Sequence, residues 1–214
     1  MSSRARAGLS ILSAFPDFLL SATFLITWIE PAWFGDGTVR ALVLLIVLEF
    51  FVMHSSAAMA FGVLAQPTRA RRIVATTAFS AFYMLFAGAL AVAFTTVWPL
   101  AAFAGLTFNR LLPILVGPVP TDREQVLVQE GWLFSFVAYM LAVGLTGLLP
   151  VPALGITETV VQYEALPGTG SSVEQPQRAI ACGFLYFGAI GAAQLFLDRW
   201  LDGPDPDAGP PVVA

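Results

Sequence analysis

Apolar residues run along this chain in blocks too long and too even for the helices or strands of a soluble protein. A helix needs about 20 mainly apolar residues to cross about 30 Å of hydrocarbon. Six blocks meet or approach that length, at residues 15–33, 41–64, 73–97, 99–116, 131–149 and 178–197. They predict an all-α integral membrane protein, a six-transmembrane-helix bundle whose single helical domain covers residues 1–202. The tail, 203–214, is rich in Pro, Gly and Asp, a composition that predicts disorder.

The polar punctuation between blocks refines the elements. Pro16 and Asp17 suit the start of the first span, since proline fits the first helical position and an acid there meets the positive end of the helix dipole. Residues 4–14 then lie along the membrane interface. Arg4 and Arg6 before an apolar stretch resemble a signal peptide, but Pro16 and Asp17 interrupt it and no small-residue cleavage site precedes Glu30, so it reads as a retained first helix. A break at Trp98-Pro99 makes the third and fourth spans a tight hairpin. Thr121-x-x-Glu124 is a capping box, which starts the fifth helix near Asp122 and extends it over 122–149, with membrane entry around Trp132. The outer connection, 150–177, holds a strand-like run from Thr157 to Tyr163, then the flexible Pro167-Gly168-Thr169-Gly170 with the acids Glu158, Glu164 and Glu174 around it.

Charge orients the bundle. With six spans and the N-terminus inside, Arg4, Arg6, Arg69, Arg71, Arg72, Arg123 and Arg199 fall on the cytoplasmic side. Only Arg40 and Arg178 fall outside, with Arg110 in the membrane. This asymmetry obeys the positive-inside rule and predicts both termini in the cytoplasm, in a cell inner (cytoplasmic) membrane. If residues 99–116 re-entered instead of spanning, the C-terminal half would invert.

Composition agrees. Hydrophobic residues make up 57% of the chain and charged residues 11%, with a mean hydropathy of +0.79. All ten basic residues are arginine, which together with abundant Ala, Gly and Pro points to a GC-rich, bacterial source. One cysteine, Cys182, and one histidine, His54, leave no internal disulfide and no multi-ligand zinc site within the chain. The formal charge of −4 argues against nucleic acid as a partner. The expected partners are the lipid bilayer and either further copies of the chain or other membrane subunits.

Ionisable groups at membrane depth cost at least about 2.5–3.5 kcal/mol each, so each needs a reason. Glu49 and His54 on the second helix lie roughly 12 Å and 20 Å from its outer end at Ala41, and five residues of separation puts them on different faces. Glu49, Met53 and Ser56 share one seam, whereas His54 and Ser55 address another neighbour. Arg110 descends the fourth helix to a similar depth, and Glu49 is the one deep acid it can fork onto. A Glu49–Arg110 contact is therefore expected, with Asn109 or His54 completing the hydrogen bonds. Three readings are open: a helix-locking ion pair, a polar conduit or pocket, or an Arg110 that is not at membrane depth. His54 as a single haem ligand lacks a second histidine, and no cofactor is implied. Small residues at Ser55-Ser56-Ala57-Ala58, and the pairs Gly188/Ala192 and Ala189/Ala193, mark close helix packing.

No nucleotide-binding, metalloprotease or serine-hydrolase motif is present, and neither is a voltage-sensor ladder or an internal repeat. No catalytic residue can be named. The function that remains is a small channel or transporter with a polar membrane centre at Glu49, His54, Ser56, Asn109 and Arg110. The alternatives are a non-catalytic structural subunit of a membrane assembly and, third, an intramembrane enzyme or haem protein.

Overall fold

A computed structural model describes residues 3–63, 66–116 and 122–201. Thr121, the side chain of Glu124 and the tail 203–214 lie outside the described residues, so the capping box and the tail do too. All described elements are helical: α1 (Ser3–Ile29), α2 (Thr38–Ala57), α3 (Arg69–Ala93), α4 (Trp98–Val116), α5 (Asp122–Leu148), α6 (Glu158–Glu164), α7 (Ser171–Glu174) and α8 (Pro176–Leu201). A short 3-10 turn, Pro31–Phe34, follows α1, and a π-helical stretch, Ala58–Val63, continues α2. Six of these helices are long and apolar enough to cross a membrane.

Two local expectations give way. Pro16 lies inside α1, which runs unbroken from Ser3, so residues 4–14 belong to the first helix and Asp17 is not in a first turn. An interior proline forfeits one backbone bond, a loss that helices in lipid absorb more readily than helices in water. The strand-like run 157–163 is helical in α6, because no partner strand exists for it to pair with among the described residues. The expected fourth span is there, since residues 99–116 form one continuous helix and not a re-entrant turn. Pro99 and Pro176 sit in the first turns of α4 and α8, where their missing N–H groups cost nothing.

Two apolar cores flank α2. On one side Val39, Val43, Ile46 and Met53 pack with Phe24 of α1, Tyr139 and Ala142 of α5, and Ile180, Tyr186 and Phe187 of α8. On the other, Leu48 packs with Ala87 of α3 and Phe103 of α4. The outer surface is itself apolar: Leu85, Val92, Val97, Phe108 and Leu148 are all strongly exposed.

The tightest pairing joins α1 to α8, which run antiparallel. Glycines on α8 receive side chains of α1: Gly183 faces the Phe24 ring, Gly188 the Ser21 hydroxyl and Gly191 the Phe18 ring. A Cβ at Gly183 would lie 2.3 Å from a Phe24 ring carbon, so this approach requires glycine. Two polar bonds fix the register. Ser21 Oγ donates to the Phe184 carbonyl at 2.9 Å, and Gln194 Nε2 donates to Asp17 Oδ2 at 2.8 Å.

The end of the bundle that carries α6 is locked by charge. Buried Glu164 accepts the backbone N–H groups of Gly37 (3.1 Å) and Arg40 (3.2 Å) and so caps α2. Arg40 in turn donates to the Phe94 carbonyl at the end of α3 (2.9 Å), and Arg178 Nη1 donates to the Thr146 (2.8 Å) and Gly147 (2.6 Å) carbonyls that end α5. Tyr163 donates to the Asp36 carboxylate at 3.0 Å, which raises its phenol above the ordinary tyrosine range.

The glycine contact makes a direct prediction. Gly183→Ala should cost about 1–3 kcal/mol through overpacking against Phe24, seen as a lower unfolding temperature in detergent. Gly144→Ala, where an added Cβ meets nothing within 4 Å, should leave that temperature unchanged or raise it.

Candidate functional site

The polar centre is organised around α2. Two aromatic donors of α5 clamp it in register: Trp132 Nε1 donates to the Met53 carbonyl (2.9 Å) and Tyr139 Oη to the Ile46 carbonyl (3.0 Å). Both partners recur two helical turns apart, so the antiparallel helices are pinned twice. Helical carbonyls already accept one N–H each, and these bonds use the second lone pair.

Glu49 lies between these two pins. From the start of α2 at Thr38 it is roughly 16 Å along the helix, near the middle of the apolar stretch Thr38–Val63. Its Oε1 accepts from Tyr186 Oη of α8 at 2.8 Å. Tyr186 is buried, set edge-on to Tyr139 with ring centroids 5.3 Å apart, and so holds the phenol in place. No other hydrogen bond reaches the carboxylate among the described residues.

Arg110 does not contact Glu49. Its guanidinium reaches across from α4 to a cluster of oxygens beyond Glu49 along α2: Nη1 donates to Ser55 Oγ (2.8 Å), and Nη2 donates to Ser56 Oγ and the Val52 carbonyl (3.4 Å). Both serine hydroxyls donate to that same carbonyl, Ser55 at 2.7 Å and Ser56 at 2.8 Å, which turns their lone pairs toward the arginine. The expected direct pair fails because depth was reckoned between Cα positions, whereas the long arginine arm runs on past Glu49. Ser55 and Ser56, neighbours about 100° apart on the helix, are both satisfied by one planar fork with donors on two sides.

Two further expected members lie elsewhere. The Nδ1 of His54 donates to the Phe50 carbonyl of its own helix (2.7 Å), and its ring packs on Phe50 with centroids 4.0 Å apart. It takes no part in holding Arg110. Asn109 is exposed and makes no hydrogen bond among the described residues.

A cleft of about 220 Å³ opens beside the carboxylate, lined by Glu49, Met53 and Ser56 of α2, Gly131, Trp132 and Ser135 of α5, and Tyr186 of α8, with Val52 and Val128 adding apolar wall. Just past it, α2 passes into the π-helical stretch at Ala58, a local widening often found beside functional sites. Tyr186, Trp132 and Ser135 are the lining residues that sequence reasoning passed over. The available signal was the polar handle: a phenol or indole inside an apolar span must find an acceptor. No group of three or more His, Cys, Asp or Glu side chains that could hold a metal gathers among the described residues.

No protein-family model, no curated protein and no solved structure matches this chain.

The separation of the two charges can be measured through stability. Cutting a true buried ion pair costs about 3–5 kcal/mol because it strands the partner. Arg110→Met strands nothing, since Ser55 and Ser56 keep their bonds to the Val52 carbonyl, and should shift unfolding by no more than about 1 kcal/mol. Tyr186→Phe removes the one donor on Glu49 and should cost about 1.5–3 kcal/mol. Chemical unfolding in mixed micelles reads both, and a larger loss for Arg110→Met than for Tyr186→Phe would contradict the geometry.

Proposed function

We propose that this chain is a multi-pass protein of the cytoplasmic membrane of a bacterial cell, one transmembrane domain with both termini inside, that acts as a small channel or transporter. The observation that carries the reading is the cleft beside Glu49: a carboxylate with a single donor, facing open space, halfway along six apolar helices. Placing a carboxylate there costs several kcal/mol, and a chain built only to hold helices together has no use for the cavity next to it.

The medium follows from the surface. Exposed Leu, Val and Phe side chains cover the outward faces of α3, α4 and α5, an arrangement stable in lipid and not in water. Orientation follows from charge: Arg69, Arg71, Arg72 and Arg123 cluster at one end, against Arg40 and Arg178 at the other. Six crossings taken in sequence would return the chain to the side where it began, which supports reading both ends as lying on the arginine-rich side.

Topology is tested by labelling engineered cysteines in intact cells with a membrane-impermeant maleimide, in a background where the native Cys182 is buried. Ser172→Cys should label from outside and Thr68→Cys only after lysis. Function is tested in proteoliposomes by solute-driven volume change and ion flux with a panel of small cations, anions and neutral solutes. The wild-type chain should pass at least one class, and Glu49→Gln should lower that flux at least tenfold, about 1.4 kcal/mol at the rate-determining barrier. Flux that is unchanged in Glu49→Gln, or no flux for any class, would remove the reading. Purification with stoichiometric foreign subunits and no intrinsic flux would favour a structural subunit instead.

A further inference from the structure

We infer that the cleft beside Glu49 is a binding site for a small organic cation of the primary-ammonium class, a step that rests on the channel or transporter reading and names its substrate chemistry. The inference comes from which hydrogen-bonding capacity the lining leaves open. Among the described residues, every side-chain donor on the wall is already engaged within the protein. Tyr186 Oη donates to Glu49, Trp132 Nε1 to the Met53 carbonyl, Ser56 Oγ to the Val52 carbonyl, and Ser135 Oγ to the Gly131 carbonyl at 3.0 Å. The lining segments of α2, α5 and α8 are helical, so their backbone N–H groups point along their own helices.

What remains is acceptors alone. Glu49 has the oxygen that Tyr186 does not touch, and the Ser135 and Ser56 hydroxyls keep lone pairs after their own donations. An anion would meet no donor and the charge of a carboxylate. A neutral acceptor would lose its water bonds without replacement. A group with several N–H donors and a positive charge satisfies the wall, and Val52, Met53, Val128 and Trp132 suit a short apolar body attached to it. A bare divalent metal is disfavoured, because Glu49 is the only carboxylate among the described lining residues and hard cations gather several oxygens from charged ligands. Arg110 does not reverse this. Its donors are turned onto Ser55, Ser56 and Val52, and it does not line the cleft.

The experiment is equilibrium dialysis of the purified full-length chain in detergent against radiolabelled n-propylammonium, with sodium, propionate and 1-propanol as competitors. The expected result is one saturable site per chain, displaced by unlabelled propylammonium and not by the three competitors. Glu49→Gln should weaken it at least about tenfold. A second variant guards against misfolding: Gly131 lines the cleft and has nothing within 4 Å of an added Cβ. Gly131→Leu should therefore fill the cleft and abolish binding while the Glu49–Tyr186 bond stays intact. Absence of saturable binding, equal displacement by sodium, propionate or propanol, or binding that survives both variants would each overturn the inference. Failure here is separable from failure of the broader reading. Flux of a neutral or anionic solute without propylammonium binding sinks only the substrate class, whereas propylammonium binding with no flux of any solute sinks only the transporter.

Discussion

A polar atom inside an apolar bundle has little water to fall back on, and the arrangement of this bundle follows from how the polar groups of α2 are met by its neighbours. Three neighbouring helices supply the partners. Trp132 and Tyr139 of α5 bond to carbonyls of α2, Tyr186 of α8 bonds to its carboxylate, and Arg110 of α4 bonds to its two serines. The apolar cores on either side of α2 provide contact area but little directionality, since Leu, Val and Phe pack as readily against lipid as against one another. Angle and register come from the polar bonds and from the glycine contacts between α1 and α8.

The arrangement treats its two buried charges separately. A guanidinium and a carboxylate in direct contact would neutralise each other and close the space between them. Here the arginine rests on three neutral oxygens and the carboxylate on one phenol, so each is only partly compensated and the cleft survives. The Val52 carbonyl is the hinge of that division. It accepts both serine hydroxyls, and thereby presents to Arg110 a set of lone pairs that stands in for a carboxylate.

Much of the architecture was legible in the sequence because length and hydropathy report on spanning helices directly. The six apolar blocks correspond to six long helices, and Asp122 begins α5 in both readings. Ends were harder. Pro16 looked like a helix start because proline is common there, yet the residues before it are good helix formers and α1 simply continues through it. The run Thr157 to Tyr163 carries β-branched residues at strand-like spacing, and context overrode that preference. At the site, Glu49 and Ser56 were visible as polar residues in an apolar block and do line the cleft. Tyr186 and Trp132 were not, because an aromatic residue in a span is ordinary until its acceptor on another helix is known. His54 stood out by type and depth and Asn109 by its place beside Arg110, and their surroundings engage them locally or leave them at the surface.

The seating of α1 side chains against the glycines of α8 has a mechanical consequence. Rings lodged at Gly183 and Gly191 act as teeth, and neither helix can slide past the other without first separating from it. Those two helices are thereby keyed to each other, whereas α5 is held to α2 by bonds at two separate levels. The boundary between the two pairs is crossed at mid-helix by Tyr186, whose hydroxyl spans from α8 to Glu49, and at the end of α5 by Arg178 of α8. A rocking of one pair against the other, pivoting on the Arg178 contacts, would stretch the Tyr186–Glu49 bond and alter the width of the cleft at the same moment.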